Sequence, residues 1–201
     1  MENIFLLKKN YAEDTQKFKD WFPAEFEKLA QSKMFLSQNF QLMNQVRQTA
    51  GLVDTIDFMN DIYDRLGLSI DYAGLCCIKP NSVTPPALGK YRTKFFEPGK
   101  DKIFDDNLPN RKCRLHIPVG NNNNLKIMWI DRSENITDEN RLNGTFKIES
   151  FDVIPPTAYL IAQPGPYKYN NKDNNDYVFF IEVGFENNPD FEFVREKFNS
   201  L

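Results

Sequence analysis

Apolar residues recur at spacings of three and four through residues 12–66 and at alternate positions beyond Gly67, so the chain divides into a helical first third and a strand-rich remainder. In Ala12–Lys33 the residues Phe18, Trp21, Phe22, Phe26 and Leu29 mark one stripe that a helix would bury. Pro23 interrupts the run, which predicts a kink or two short helices with Pro23 near the start of the second. A further helix is predicted over Leu36–Thr49, ending near Gly51. Another follows over Val53–Leu66, where Ile56, Phe58, Met59, Ile62, Tyr63 and Leu66 repeat at helical spacing, with Asp54 near its start and Gly67 just past its end.

Beyond Gly67 the period shortens. Ser69–Ile78, Lys94–Phe96, Arg114–Val119, Leu125–Asp131, Thr145–Phe151, Ala158–Ala162 and Tyr177–Phe185 read as short strands, separated by clusters of Pro, Asn and Gly. Residues 79–86, KPNSVTPP, and the four asparagines at 121–124 read as turns. Asn188–Leu201 predicts a closing helix that starts near Pro189, with a tail strand as the alternative. The rhythm suits an antiparallel sandwich or barrel. The expected fold class is α+β with a mainly β core: a helical segment over residues 1–67 packed on a β domain over 68–201, as one compact unit.

Composition narrows what such a fold could do. A chain of 201 residues with 18 Phe is long enough and apolar enough for a proper core. A net charge of −3 gives no electrostatic footprint for nucleic acid or an anionic membrane, and neither is expected as a partner. In MENIFLLKKN the apolar run precedes the lysines, the wrong order for a secretory signal, and no apolar stretch approaches the roughly 20 residues that span a bilayer. The expectation is a soluble, intracellular protein. Cys76, Cys77 and Cys113 form neither a disulfide framework nor a metal knuckle, and read as buried free thiols. The abundance of Asn and Lys with little Ala and Gly is typical of AT-rich genomes and their bacteriophages.

The segments RLHIPV at Arg114–Val119 and YLIAQPGPYKYNNKDNNDYVFFIEV at Tyr159–Val183 carry a family resemblance. Together they are similar to the core of the Fe(II)/2-oxoglutarate dioxygenases, nearest to the aspartyl/asparaginyl β-hydroxylase-like branch. The resemblance spans about Leu75–Phe185 and implies a double-stranded β-helix, the jelly-roll or cupin-like architecture, flanked by N-terminal helices. It implies that Arg114 and His116 line a pocket, where the His of such a segment helps hold oxoglutarate. It also places Tyr167 where the family has its second metal-binding His, Asn171 a few residues on, and Tyr177 where an Arg anchors the oxoglutarate carboxylate. For the His-x-Asp motif two registers stand open: one puts Ala87 and Gly89 at the ligand positions, the other puts Asp105 and Asp106 opposite them.

Residue count bears on the same point. Non-haem iron is held by two His and one carboxylate, and this chain has one His in total, His116. A phenol is a poor Fe(II) ligand at neutral pH, so Tyr167 and Tyr177 are expected to fill the former cavity. Cys76 or Cys77 with His116 makes a weak nucleophile–base pair, because a strand interior marks no reactive thiol. The run Asp101, Asp105, Asp106 and Asn107 could hold a hard cation but reads more simply as a solvated loop. The leading expectation is therefore a catalytically inactive oxygenase-like domain with no cofactor, serving with other proteins as a structural or binding component of a larger assembly, in the cytoplasm or in a bacteriophage virion. The alternative is an active hydroxylase that uses Fe(II) and 2-oxoglutarate at a non-standard site built from Asp105, Asp106 and His116.

Overall fold

Ten strands form two antiparallel sheets in the computed structural model, which describes residues 3–21, 23–31, 36–39, 57–84, 111–120, 125–130, 148–162 and 167–201. In chain order they are β1 (Ile4–Asn10), β2 (Leu36–Asn39), β3 (Ile70–Ile78), β4 (Ser82–Val83), β5 (Cys113–Val119), β6 (Lys126–Ile130), β7 (Ile148–Asp152), β8 (Thr157–Ala162), β9 (Tyr167–Asn171) and β10 (Val178–Phe185). The larger sheet runs β1-β8-β5-β10-β3-β2 and the smaller one β4-β9-β6-β7. From β3 to β10 the chain passes repeatedly between the two sheets. That alternation makes a double-stranded β-helix of eight strands, with β1 and β2 added to the edges of the larger sheet.

Two cores follow from the period-2 alternation of the larger sheet. Its inner face meets the smaller sheet: Cys76, Ile78, Tyr159, Ile161, Val178 and Phe180 pack against Leu125, Ile127, Trp129, Tyr167 and Tyr169. Its outer face, with Leu75, Leu115, Ile117, Leu160, Ile181 and Val183, is covered by the helices. β5 is buried along its whole length because it is central and covered on both faces.

Among the described residues the helices are α1 (Ala12–Trp21), α2 (Pro23–Gln31), α3 (Asp57–Asn60) and α4 (Phe191–Asn199). Pro23 opens α2 at the position where its missing N–H costs nothing, as the sequence predicts. Phe26 of α2 packs on Phe179 with ring centroids 5.2 Å apart; the side chains of Phe18, Trp21, Phe22 and Leu29 lie outside the described residues. α3 continues as a π-helical turn over Asp61–Arg65, and Gly67 follows with a φ of +60°. Asp14 of α1 caps α3 from a distance: its carboxylate accepts from the Asp57 and Phe58 amides at 3.1 and 2.9 Å. The buried Asp61 carboxylate accepts from the Tyr11 hydroxyl at 2.8 Å and pairs with Lys9 at 2.8 Å, tying the end of β1 to this helix. α4 closes the outer core with Phe191, Val194 and Phe198.

The expectation of a wholly helical first third is corrected in two places. Ile4–Asn10 pairs antiparallel with β8, and Leu36–Asn39, predicted as the start of a helix, pairs with β3 from Leu36↔Ile78 to Asn39↔Leu75. In both cases an open sheet edge supplies backbone partners that local spacing cannot reveal. The strand predicted at Lys94–Phe96 and the rest of the helix predicted to Thr49 lie outside the described residues.

Candidate functional site

Parity along two neighbouring strands brings three charged or ionisable groups together inside the barrel. On β5, Leu115 and Ile117 face the helices, so Arg114 and His116 face the smaller sheet. On β10, Ile181 and Val183 face the helices while Val178 and Phe180 face inward, so Glu182 also faces inward. The register sets His116 directly opposite Glu182 on one side and opposite Tyr159 of β8 on the other.

The members of the cluster contact one another. Arg114 Nη1 donates to Glu182 Oε1 and, at 3.1 Å, to the Tyr167 hydroxyl. His116 Nε2 lies 3.2 Å from Glu182 Oε2, an ion-pair distance whose approach is not aligned as a hydrogen bond. His116 Nδ1 lies 3.2 Å from the Tyr159 hydroxyl. Phe180 stacks on the imidazole at 4.9 Å between centroids, with the Tyr159 and Tyr169 rings at 5.2 and 6.1 Å. His116 is 0% exposed and Glu182 1%.

Charge in such a place must be balanced within it. Burial pushes the Glu182 carboxyl up, but the Arg114 guanidinium, helped by His116, outweighs burial and holds it well below the usual carboxylate range. Burial pushes the His116 imidazole down and outweighs the upward pull of Glu182, and the Arg114 charge lowers it a little further. The ring is therefore neutral at pH 7. Its surroundings assign the proton to Nε2, facing the carboxylate, and leave Nδ1 to accept from Tyr159. Burial also raises the Tyr159 and Tyr169 hydroxyls well above 10.0, with the Glu182 charge contributing to both. Among the described residues of the cluster, one cation faces one anion, and the rings around them are neutral.

Of the residues singled out in the sequence, Arg114, His116 and Tyr167 meet here. Tyr177 does not fill the cavity: it precedes β10 on the helix-side parity, stacks on Phe179 and is 39% exposed. Asn171 is buried at the far end of β9, where its amide donates to the carbonyls of Lys79 at 2.8 Å and Asp176 at 3.1 Å and closes the turn between β9 and β10. Glu182, Tyr159 and Tyr169 are the members that sequence reading missed. The signal was present for Glu182: a carboxylate at an inward position of the apolar run VFFIEVGF needs a buried cation. The thiols of Cys77 and Cys113 are pushed up to about 12 by burial and stay protonated, and Cys76 lies in the core between the sheets.

No three His, Cys, Asp or Glu side chains among the described residues converge as metal ligands. The single imidazole has its nitrogens facing Tyr159 and Glu182, so the described residues do not fit a site of two His and one carboxylate. Ala87, Gly89, Asp101, Asp105, Asp106 and Asn107 lie outside the described residues.

Solved structures share this arrangement of strands. SnoK, a non-haem α-ketoglutarate-dependent carbocyclase from nogalamycin biosynthesis, is similar with a TM-score of 0.57 at 7% identity over 92% of this chain and 79% of its own. AviO1 from Streptomyces viridochromogenes Tue57 is similar with a TM-score of 0.55 at 9% identity over 94% and 92%. This is the 2-oxoglutarate oxygenase fold. HygX from Streptomyces hygroscopicus, with nickel and 2-oxoglutarate bound, matches the oxygenase fold of this chain with a TM-score of 0.52 at 8% identity over 91% and 82%. No family profile and no curated protein sequence matches the chain. The HygX structure corrects the expectation of a chain without a cofactor, because a chain of the same fold carries a metal and an oxo-acid. No helix among the described residues is long and apolar enough to cross a membrane.

Proposed function

We propose that this oxygenase-fold chain no longer turns over an oxo-acid and serves as a binding or structural component of a larger assembly. The observation that carries the reading is the barrel interior. Its one imidazole is enclosed between Tyr159 and Glu182, and its arginine is already neutralised by a carboxylate of the same chain. Tyr167, at the start of β9, donates no metal-binding nitrogen and instead accepts from Arg114. Binding to other proteins has surface available to it: Leu6 on the edge strand β1, Ile154 before β8 and Phe193 on α4 are large apolar side chains open to solvent. Fold kinship by itself transfers no activity when the reacting groups differ.

The test is a turnover assay. Protein incubated with Fe(II), 2-oxoglutarate, ascorbate and oxygen should release no succinate above a protein-free control, and succinate formed in proportion to protein would sink the reading.

A second reading, an Fe(II)- and 2-oxoglutarate-dependent hydroxylase with a non-standard site, is favoured by the nickel and 2-oxoglutarate held in HygX. Anaerobic calorimetry with Mn(II) separates the two. Binding that tightens when 2-oxoglutarate is present, and weakens in Asp105→Ala or Asp106→Ala, would replace the first reading with the second.

A further inference from the structure

The larger sheet ends on β1, whose one strand partner among the described residues is β8. Antiparallel alternation fixes which of its backbone groups β8 uses. The Asn3 carbonyl accepts from the Ala162 amide at 2.8 Å, so Asn3 and Phe5 bond toward β8, and the N–H and C=O of Ile4 and Leu6 point to the open edge. The Leu6 side chain is itself 40% exposed. Past Leu6 the register shifts, and beside the shift lies a cleft of about 270 Å³, walled by Leu7 and Tyr11 on one side and by Phe198 and Leu201 on the other. Lys8 and Lys9 stand at its rim. Lys9 is neutralised by Asp57 and Asp61 at 3.5 and 2.8 Å, whereas Lys8 is exposed and has no ion pair among the described residues.

We propose that β1 is a docking edge for an extended segment of another protein, which adds a strand antiparallel to β1, places an apolar side chain in the cleft and sets a carboxylate against Lys8. The inference rests on the reading of this chain as a binding component, and names the surface and the chemistry of its partner. The backbone groups of Ile4 and Leu6 supply the pairing, and the side chains of alternate residues supply the choice. A residue opposite Leu6 covers its apolar side chain, the residue before that one reaches the cleft beside Leu7, and the one before that meets Lys8. The preferred segment therefore reads acidic, apolar, apolar. A second copy of this chain is the poorer occupant: IFLLKKN holds two cations and no acid, and lysine on an edge strand discourages pairing with its own kind.

The experiment is fluorescence anisotropy of a labelled peptide, Thr-Glu-Leu-Val-Thr-Val-Thr, titrated with the full chain at low ionic strength. Saturable binding is expected. It should weaken about tenfold when the peptide's Glu is replaced by Lys, and by a similar factor in Lys8→Glu, which in turn should prefer the Lys peptide. Two further peptides carry N-methyl groups on alternate amides. An added strand bonds through one parity only, so one of the two should lose binding and the other keep it, a control that leaves the protein unchanged. No saturable binding, equal affinity for the Glu and Lys peptides, or equal behaviour of the two methylated peptides would each overturn the proposal. So would a dimer in sedimentation that Leu6→Pro dissociates by removing an outward N–H, since the occupant of the edge would then be a second copy. Succinate release by a chain that still binds the peptide would sink the reading of an inactive chain and leave the docking edge standing. Absence of both peptide binding and succinate would do the reverse.

Discussion

Glu182 keeps its charge where a lone charge would be untenable, and what it costs to disturb depends on whether one partner or both are removed. Glu182→Gln leaves the Arg114 guanidinium buried beside a neutral amide, and stability should fall by about 3–5 kcal/mol in urea titration. Arg114→Met/Glu182→Met should recover most of that loss, since an apolar pair of similar volume needs no internal balance. A double variant no more stable than either single one would show that the pair is not an isolated charge-balanced unit. pH dependence has a definite sign here. His116 is lowered from 6.5 by burial, so the folded state resists its proton and the unfolded state takes it up. Its contribution is complete above pH 6.5 and declines as pH falls toward the lowered value; Glu182, also depressed, adds a further loss below the ordinary carboxylate range. The urea midpoint of the wild type should therefore drop between pH 7 and pH 5, and His116→Phe should flatten that drop. Arg114, His116 and Tyr167 were legible in the sequence through their resemblance to oxygenase segments. Glu182 stood out in the sequence as a carboxylate in an apolar run, but its inward direction and its pairing with Arg114 become visible only once the neighbours of its strand are known.

At the scale of elements, caps and edges decide what local pattern leaves open. The Asp14 carboxylate serves the first two described amides of α3 although 43 and 44 residues separate them from it. Asp14→Ala should cost about 1–2 kcal/mol, the usual effect of losing a side-chain N-cap, and should lower Tm by a few degrees. Asp14→Asn, which keeps an acceptor oxygen, should retain part of it. Pro23 marked the break between α1 and α2 because its ring constrains the backbone wherever it stands. The strands β3, β5, β6, β8 and β10 were legible because both periodicity and flanking turn residues agree there. Leu36–Asn39 was not, since four residues followed by helix-like spacing carry no sign of the β3 edge that recruits them. β9, Tyr-Lys-Tyr-Asn-Asn, alternates correctly, yet, short and set between Pro and Asn clusters, it is absent from the strands that periodicity predicts.

Over the whole molecule, the larger sheet is a shared wall between two cores, and α4 is the last piece to close the outer one. Phe191, Val194 and Phe198 are buried there, and Lys197 Nζ donates to the Leu66 carbonyl at 2.6 Å beside the end of the π-helical turn. Removing residues 189–201 should cost roughly 5 kcal/mol or more from the three apolar side chains alone, and should expose the outer core to a hydrophobic dye. An antiparallel sandwich or barrel was legible from the rhythm of strands and turns, and the double-stranded β-helix from the family resemblance; the attachment of β1 to β8 depends on an edge that only the folded sheet provides. A chain with one histidine also has one imidazole resonance pair. Because that ring sits between the two sheets, nitrogen NMR of uniformly labelled protein reads the centre of the fold without assignment. The shifts of the two ring nitrogens report which one carries the proton, and their first change on titration, heating or mixing with another protein marks the moment at which the interior is reached.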